Sequence, residues 1–232
     1  MSRPAVFVGP SLHGAAALKR TDIEFLPPVR RGDIDALLAR AAPPPVIGII
    51  DGAFFQSLSV SPKEVLRAID AGVRTYGSSS IGALRAVECA PYGMVGVGRI
   101  YQEYQSGRIN ADDEVAITYD DETGRAVSEP LVNLRFAVAA AEVAGVVDAA
   151  LAGRFLVLAK RRYFPERTIA LIMRDLVAEV GEAACGPLRH YLDHVAPDTK
   201  RDDGLQLLDL VVADRAATAG QRPPEWPPPV HL

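Results

Sequence analysis

Short apolar runs alternate with amphipathic segments over the first hundred residues of the chain. Ala5–Val8 and Val46–Ile50 are almost wholly apolar, which is typical of strands buried on both faces of a sheet. Val73–Tyr76 is a further predicted strand, and Ile23–Leu26 is a weaker one that stops at a pair of prolines. The pattern therefore predicts several short strands separated by other elements.

Helices are predicted between these strands. Ser61, Pro62 and Glu64 form a start signal, with a serine cap, proline in the first helical position and glutamate three residues after the cap. Gly72 ends that helix, and Ile81–Ala90 reads as the next one. Strands that alternate with helices favour an α/β fold with a parallel sheet and crossover helices.

The second half of the chain has a different pattern. Glu114–Tyr119 alternates as an edge strand would, and residues 128–210 read as helix with breaks at Pro165 and Pro187. The predicted organisation is an N-terminal parallel sheet followed by a helical C-terminal half. The predicted parts are an α/β catalytic part at 1–127, a helical part packed on it at 128–220 and a disordered proline-rich tail at 221–232.

Composition and charge exclude several classes of protein. The net charge is −4 and the isoelectric point about 5.6, without a basic domain, so no nucleic-acid partner is expected. We find no signal peptide and no membrane span, which predicts a cytoplasmic protein without a membrane partner. The cysteines and histidines do not have the spacing of zinc ligands, so neither a metal nor a cofactor is expected.

Polar residues follow three of the predicted strands. Ser11 comes shortly after the first strand, Asp51 directly after the strand that ends at Ile50, and Ser80 in the turn after Val73–Tyr76. Ligands of open parallel sheets bind where the carboxyl ends of the strands meet. We therefore expect a functional site at this edge, with most functional residues between positions 9 and 135.

Ser80 lies at a predicted junction of strand, turn and helix. A serine placed this way can be a nucleophile, with the amides of Ile81 and Gly82 directed at the oxyanion formed there. Serine is also common as a simple helix cap. Spacing alone leaves both interpretations open.

Lys63 is predicted in the first turn of a helix, where the macrodipole disfavours a cation and lowers the lysine pKa. A lysine with a lowered pKa can serve as a general base. The alternative is a solvated surface lysine. Asp51 can either orient Lys63 or cap a turn.

Several blocks of the sequence, in this order, resemble the TfuA-like proteins over most of residues 5–145. They are Gly9–Ser11, Ile49–Gly52, Lys63–Glu64, Gly77–Glu88 (GSSSIGALRAVE), Tyr92–Arg99, Asp112–Val115 and Ser128–Arg135 (SEPLVNLR). Two departures stand out: Pro62 replaces a histidine that often precedes the lysine, and Ser78 and Ser79 replace small residues.

The resemblance implies a hydrolase that works with a YcaO enzyme in thioamidation of a precursor peptide or protein. The hydrolase would release sulfur from the thiocarboxylated C-terminus of a ThiS-like carrier protein. The implied catalytic pair is Ser80 and Lys63, with Ser78 and Ser79 as alternative nucleophiles and Arg85 as an added positive charge for the anionic substrate. A base in this role must be neutral, so we expect Lys63 to be buried and close to Ser80.

Two other functions remain compatible with the sequence. The chain can be a non-catalytic adaptor that docks YcaO and its peptide, with Ser80 and Lys63 only structural. It can also be a hydrolase of small thioesters that needs no carrier protein. Residues after about position 145 are expected to serve partner contacts more than chemistry.

Overall fold

The computed structural model describes residues 2–54, 58–120 and 122–218, the last four without their side chains. The proline-rich tail predicted at 221–232 lies outside these residues. None of the helices in the described ranges has the length and apolar content that crossing a bilayer requires.

The described strands form one parallel sheet with the order β2-β1-β3-β4-β5. They are β1 (Ala5–Phe7), β2 (Glu24–Leu26), β3 (Val46–Ile49), β4 (Arg74–Ser78) and β5 (Val95–Val97). The α-helices are α1 (Asp33–Leu38), α2 (Pro62–Asp70), α3 (Ile81–Cys89), α4 (Arg99–Gln105), α5 (Leu131–Val143), α6 (Ala149–Arg161), α7 (Ile169–Val180), α8 (Glu182–His194) and α9 (Thr199–Thr218). The predicted fold class, a parallel α/β part followed by a helical half, is confirmed.

The order in which the chain adds strands to the sheet reverses between β1 and β3. From β1 the chain goes outward to β2, then returns to β3 on the other side of β1 and continues to β4 and β5. The loops after β1 and β3 consequently leave the sheet at a topological switch point, the place where open α/β sheets bind ligands.

The predicted edge strand at Glu114–Tyr119 is wrong. Residues 112–114 form a short 3₁₀ helix, and Tyr119 makes only an isolated antiparallel bridge to Ala126. The alternation breaks down because Glu114, Val115 and Ala116 are all buried. The fifth strand is instead Val95–Val97, where Gly96 within the strand and Gly98 directly after it leave too few side chains to show a strand pattern.

Pro187 does not break the helical half as predicted. It lies inside α8, and the break falls at Gly181, whose φ of 88° ends α7 and precedes α8. A positive φ is cheap only for glycine, which explains why the chain turns there. The predicted break at Pro165 is confirmed, because that residue lies in a short 3₁₀ helix between α6 and α7.

Helix α3 begins unusually close to the sheet. A Cβ atom at Gly82 would overlap the carbonyl oxygen of Ile49 in β3, and one at Gly77 would overlap the carbonyl oxygen of Gly82. Both obstacles are backbone atoms, which cannot rotate away as a side chain can. Glycine at these positions therefore allows the first turn of α3 to lie directly against β3 and β4.

We expect Gly82→Ala to lower the free energy of unfolding by about 3 kcal/mol, at the upper end for an overpacked core. Gly153→Ala is the matched control, because Gly153 lies within α6 with no atom within 4 Å of an added Cβ. That change should raise the free energy of unfolding by up to about 1 kcal/mol, the helix preference of alanine over glycine. Urea denaturation of both variants measures the difference. Equal effects at the two positions would contradict the close approach.

The C-terminal helix returns to the sheet. Helices α5–α8 share a hydrophobic cluster of their own, which includes Phe155, Ile172 and Leu176. Helix α9 instead contributes Leu207 and Val211 to a cluster with the side chains of β1 and β3. This packing brings the first turn of α9 to the carboxyl ends of the strands.

Candidate functional site

The loops after β1 and β3 are joined by one buried carboxylate. Asp51 accepts hydrogen bonds from the N–H of Gly9 (2.9 Å), the N–H of Ser11 (3.1 Å) and the hydroxyl of Ser11 (2.6 Å). Asp51 is 3% exposed, and it contacts a cavity next to Ser80. The expected convergence of Ser11, Asp51 and Ser80 at this edge is thus what the structure contains, with Asp51 fixing the geometry of the first loop.

Three consecutive serines, which begin with Ser78 at the end of β4, each contact helix α9. The hydroxyl of Ser78 donates to the carbonyl oxygen of Asp203 at 2.9 Å, and the Ser79 hydroxyl lies 2.8 Å from the carbonyl oxygen of Lys200. Ser80 Oγ lies 3.1 Å from Nζ of Lys200. Ser78 and Ser79 therefore anchor the helix backbone, whereas Ser80 contacts a side-chain amine. Of the three, Ser80 lines the cavity.

The interpretation of Ser80 as a simple cap does not match its contacts. Ser80 occupies the N-cap position of α3, but its side chain makes no capping hydrogen bond. Its Oγ instead lies within hydrogen-bond distance of the Lys200 amine. Ser79, just before it, has a φ of 66°, a left-handed conformation that is rare for serine. This sharp turn gives the three neighbouring hydroxyls different directions.

Lys200 is a buried amine in an unusual electrostatic position. It is 2% exposed and lies in the first turn of α9, where the helix dipole also disfavours its charge. Burial lowers the pKa of Lys200, and the negative charges of Asp51, Asp198 and Glu129 offset this only in part. The lowered pKa enlarges the neutral fraction that can accept a proton near neutral pH.

The carbonyl oxygen of Val115 orients the Lys200 amine. Nζ donates to this oxygen at 3.0 Å, in addition to its contact with Ser80. A neutral amine has one lone pair, and an N–H donated to Val115 leaves that lone pair available to accept the Ser80 hydroxyl proton. The pair therefore has the geometry of a nucleophile and a general base.

The loop that contains Val115 is itself firmly held. Arg135 makes two hydrogen bonds of 2.8 Å to the buried carboxylate of Glu114. Arg167 is fully buried and donates to both the carbonyl oxygen and the carboxylate of Asp113, each at 2.9 Å. Two charge-assisted contacts just before Val115 thus fix the carbonyl group that orients Lys200.

The start of α9 is fixed by polar contacts as well. Asn133 accepts a hydrogen bond from the backbone N–H of Lys200 at 3.0 Å and donates to Asp198 at 2.9 Å. Glu129 is close enough to influence Lys200 electrostatically, and its own pKa is raised, mainly by burial. These contacts explain why the segment Ser128–Arg135 lies next to the site.

The prediction that Lys63 is buried is wrong. Lys63 is exposed on the surface of α2, and it is not among the residues around the cavity next to Ser80. The buried face of α2 carries Val65 and Ala68, and Glu64 is occupied by capping Ser61 and by the N–H of Gly32. Lys63 points to solvent because the helix packs through this other face.

Of the two predicted oxyanion donors, the N–H groups of Ile81 and Gly82, one is already used in a hydrogen bond. The N–H of Gly82 already donates to the carbonyl oxygen of Ile50 at 3.3 Å, so Gly82 is wrong as a free donor. The N–H of Ile81 has no acceptor among the described residues. The N–H of Gly52, which lines the same cavity, likewise has none in the described ranges.

Arg85 is not in the position predicted for a substrate-binding cation. It is paired with Glu88 on the same helix and donates to the carbonyl oxygen of Val60 at 2.8 Å. Arg85 therefore holds the segment before α2 against α3. The described cation that lines the cavity is Arg30, whose exposed guanidinium makes no ion pair with a described residue.

The cavity next to Ser80 has a volume of about 500 Å³. Its walls combine apolar residues, prolines and the Ile117–Tyr119 segment. The residues around it are Pro10, Pro28, Arg30, Asp51, Gly52, Ala53, Phe54, Leu58, Ser80, Ile117, Thr118, Tyr119, Tyr163, Phe164 and Pro165. The volume lies in the usual range for ligand sites.

Sequence reasoning missed Lys200, although a signal for it existed. The expected range for functional residues ended at position 135, and the C-terminal helices were assigned to partner contacts. Asp198 precedes Lys200 as a helix cap, since it accepts the N–H of Arg201 at 3.1 Å. A lysine in the first turn after a cap was the same feature that selected Lys63.

Two comparisons with known proteins bear on the identity of the chain. No curated protein has a sequence that matches it. The family model described as TfuA-like protein matches residues 51–168, just over half of the chain. That range includes Asp51, Ser80 and Val115 and ends before Lys200. The chain belongs to the TfuA-like family.

Proposed function

We propose that this protein hydrolyses a thiocarboxylated ThiS-like carrier protein and supplies the released sulfide to a YcaO enzyme for thioamidation of a peptide or protein backbone. The observation that carries the proposal is the 3.1 Å contact between Ser80 Oγ and the buried amine of Lys200. The catalytic pair is therefore Ser80 and Lys200, with Lys200 in the role that the resemblance assigned to Lys63. The family resemblance supports the carrier and the YcaO partner.

In the first step Ser80 attacks the thiocarboxylate carbon. Neutral Lys200 accepts the hydroxyl proton while the serine oxygen forms a bond to the carbon. The C–S bond then breaks, and the sulfur leaves as hydrosulfide with the proton that Lys200 carried. The carrier is left attached to Ser80 as an ester.

In the second step water releases the carrier. Lys200, neutral again, accepts a proton from water as the water oxygen bonds to the ester carbon. The bond to Ser80 breaks, and Lys200 returns this proton to the serine oxygen. The products are a carrier carboxylate, hydrosulfide and one proton, and both catalytic residues are regenerated.

The negative charge of the substrate is met by backbone and side-chain groups. The N–H groups of Ile81 and Gly52 are the donors that we assign to the oxyanion, because both are without an acceptor among the described residues. Arg30 supplies the nearby positive charge that the sequence had assigned to Arg85. A thiocarboxylate is anionic before attack, so a cation at the cavity lowers the repulsion that the nucleophile meets.

Sulfide release from a purified carrier tests the proposal. We expect this protein alone to release sulfide from a thiocarboxylated ThiS-like protein, measured by methylene blue formation, with mass loss of the carrier as the second readout. Tight YcaO binding with no sulfide release would favour the adaptor function. Rapid turnover of simple thioesters with no preference for the carrier would favour a small-molecule hydrolase.

A further inference from the structure

Residues 117–120 and 125–128 pair around the isolated bridge between Tyr119 and Ala126, and one backbone edge of residues 117–120 is not used in this pairing. The carbonyl oxygen of Thr118 accepts a hydrogen bond from the N–H of Val127, and the N–H of Asp120 donates to the carbonyl oxygen of Arg125 at 2.9 Å. The N–H of Thr118 donates to the hydroxyl of Ser128 at 2.8 Å. Thr118 and Asp120 thus direct their backbone groups toward residues 125–128.

The residues between them direct their backbone groups the other way. In an extended chain, successive residues present their N–H and C=O groups to opposite edges. The N–H and C=O groups of Ile117 and Tyr119 therefore face away from residues 125–128, and they have no hydrogen-bond partner among the described residues. A free edge of this kind accepts another strand.

The residues of this free edge line the proposed catalytic cavity. Ile117, Thr118 and Tyr119 all line the cavity that also contains Ser80. The same segment begins at Val115, whose carbonyl oxygen holds the Lys200 amine at 3.0 Å. A bound polypeptide that pairs with Ile117 and Tyr119 consequently extends toward Ser80 and Lys200.

We propose that the cavity binds the C-terminal tail of the substrate as an added β-strand, paired with Ile117 and Tyr119. This inference rests on the proposed function, since it specifies how the substrate of that site is held. An extended polypeptide backbone has donors and acceptors that alternate with the spacing of these two residues. Strand addition is thus the binding mode that satisfies both residues at once.

The position of Val115 sets the direction of the tail. A tail antiparallel to residues 117–119 runs from Tyr119 to Ile117, toward the side on which Val115 holds the Lys200 amine, so that its C-terminus arrives next to Ser80 and Lys200. Pairing from Tyr119 to Ile117 spans about 7 Å at roughly 3.3 Å per residue. The last three or four residues of the substrate therefore lie in the cavity.

The rest of the cavity suits such a tail. Phe54, Tyr163 and Pro165 provide an apolar wall, and Tyr163 is 65% exposed in the free protein. Arg30 is the described cation on the lining, which complements an anionic chain terminus. The apolar wall contacts the side chains of the tail. The Ile117–Tyr119 edge forms hydrogen bonds only to the backbone of the tail, so tails of varied sequence can bind.

A scan of backbone N-methylation tests this binding mode. The probe is a fluorescein-labelled hexapeptide of alanine and glycine with a free C-terminal carboxylate, and its Kd for the full chain is measured by fluorescence anisotropy. N-methylation at alternate positions should raise Kd about tenfold, because one hydrogen bond is lost each time. Methylation at the positions between should have little effect. Absence of binding at millimolar peptide, or a uniform effect along the peptide, overturns the proposal.

Amide exchange gives a matched readout within the protein. With unmethylated peptide bound, the N–H groups of Ile117 and Tyr119 should exchange more slowly by NMR, whereas that of Thr118 should not change, since it is already bonded to Ser128. Equal protection of all three, or protection of none, contradicts strand addition. If the alternation appears but no sulfide is released from the carrier, the proposed function fails and the peptide site stands. If sulfide is released from the carrier but the alternation is absent, strand addition fails and the proposed function stands.

Discussion

Replacement of Lys200 by methionine is expected to lower kcat for sulfide release by about 10²- to 10⁴-fold, the usual contribution of a general base. Methionine has a similar length and suits a buried position, and it removes an amine that is costly to bury. The free energy of unfolding should therefore be unchanged or higher. Sulfide release and urea denaturation of the same preparation measure the two effects separately.

Two further lysine variants identify the base. Lys200→Arg keeps the positive charge, but arginine does not give up its proton, so this variant should be as inactive as Lys200→Met. Lys63→Met is the matched control, because Lys63 is exposed on α2, and its activity should stay within about twofold of the parent protein. Loss of activity in Lys63→Met with normal activity in Lys200→Met would return the role of base to Lys63.

The same assignment fixes the direction of the pH dependence. The pKa of Lys200 is lowered by burial, and the reactive form is the neutral amine. The kcat should therefore rise with pH through one group and level off above the pKa of Lys200, which lies below the ordinary lysine value of 10.5. A kcat that falls over the same range would contradict a neutral lysine base.

The sheet was predictable because local signals agree with the packing. β1 and β3 are apolar throughout, and Ser61, Pro62 and Glu64 start α2 with the expected capping box. β5 was not predictable in the same way, since a three-residue strand with glycine at its centre has too few side chains to show a period. Its position is set by pairing with β4, a contact that hydrophobic periodicity does not report.

The proposed catalytic lysine shows where local reasoning ends. Lys63 and Lys200 are both in the first turn of a helix, so the dipole argument applies equally to each. What separates them is burial, and the burial of Lys200 comes from α9 packing back on the sheet, 120 residues after Ser80 along the chain. No local pattern near Ser80 contains that information. A lysine in the first turn of a helix occurs on both α2 and α9, and the local sequence does not show which of the two is buried.

Ser80→Ala is expected to lower sulfide release by at least about 10³-fold, since removal of a serine nucleophile costs up to about 10⁶-fold in well-studied hydrolases. The fold should survive, because the Ser80 side chain makes no capping bond to α3. The Lys200 amine keeps its hydrogen bond to Val115, so we expect unfolding to cost about 1 kcal/mol less. A fluorophosphonate probe should label the parent protein on the peptide that contains Ser80 and leave the variant unlabelled.

The neighbouring serine provides the control that distinguishes a nucleophile from a general loss of polarity. Ser79 has a φ of 66°, which glycine adopts without strain, so Ser79→Gly removes a hydroxyl and keeps the turn. Its hydroxyl contacts the backbone oxygen of Lys200 and the Ser11 hydroxyl, so its loss loosens the start of α9 without removing a reacting atom. We expect sulfide release within about tenfold of the parent protein, the effect of one lost hydrogen bond. If Ser79→Gly is as inactive as Ser80→Ala and also loses the probe label, the nucleophile is Ser79 rather than Ser80.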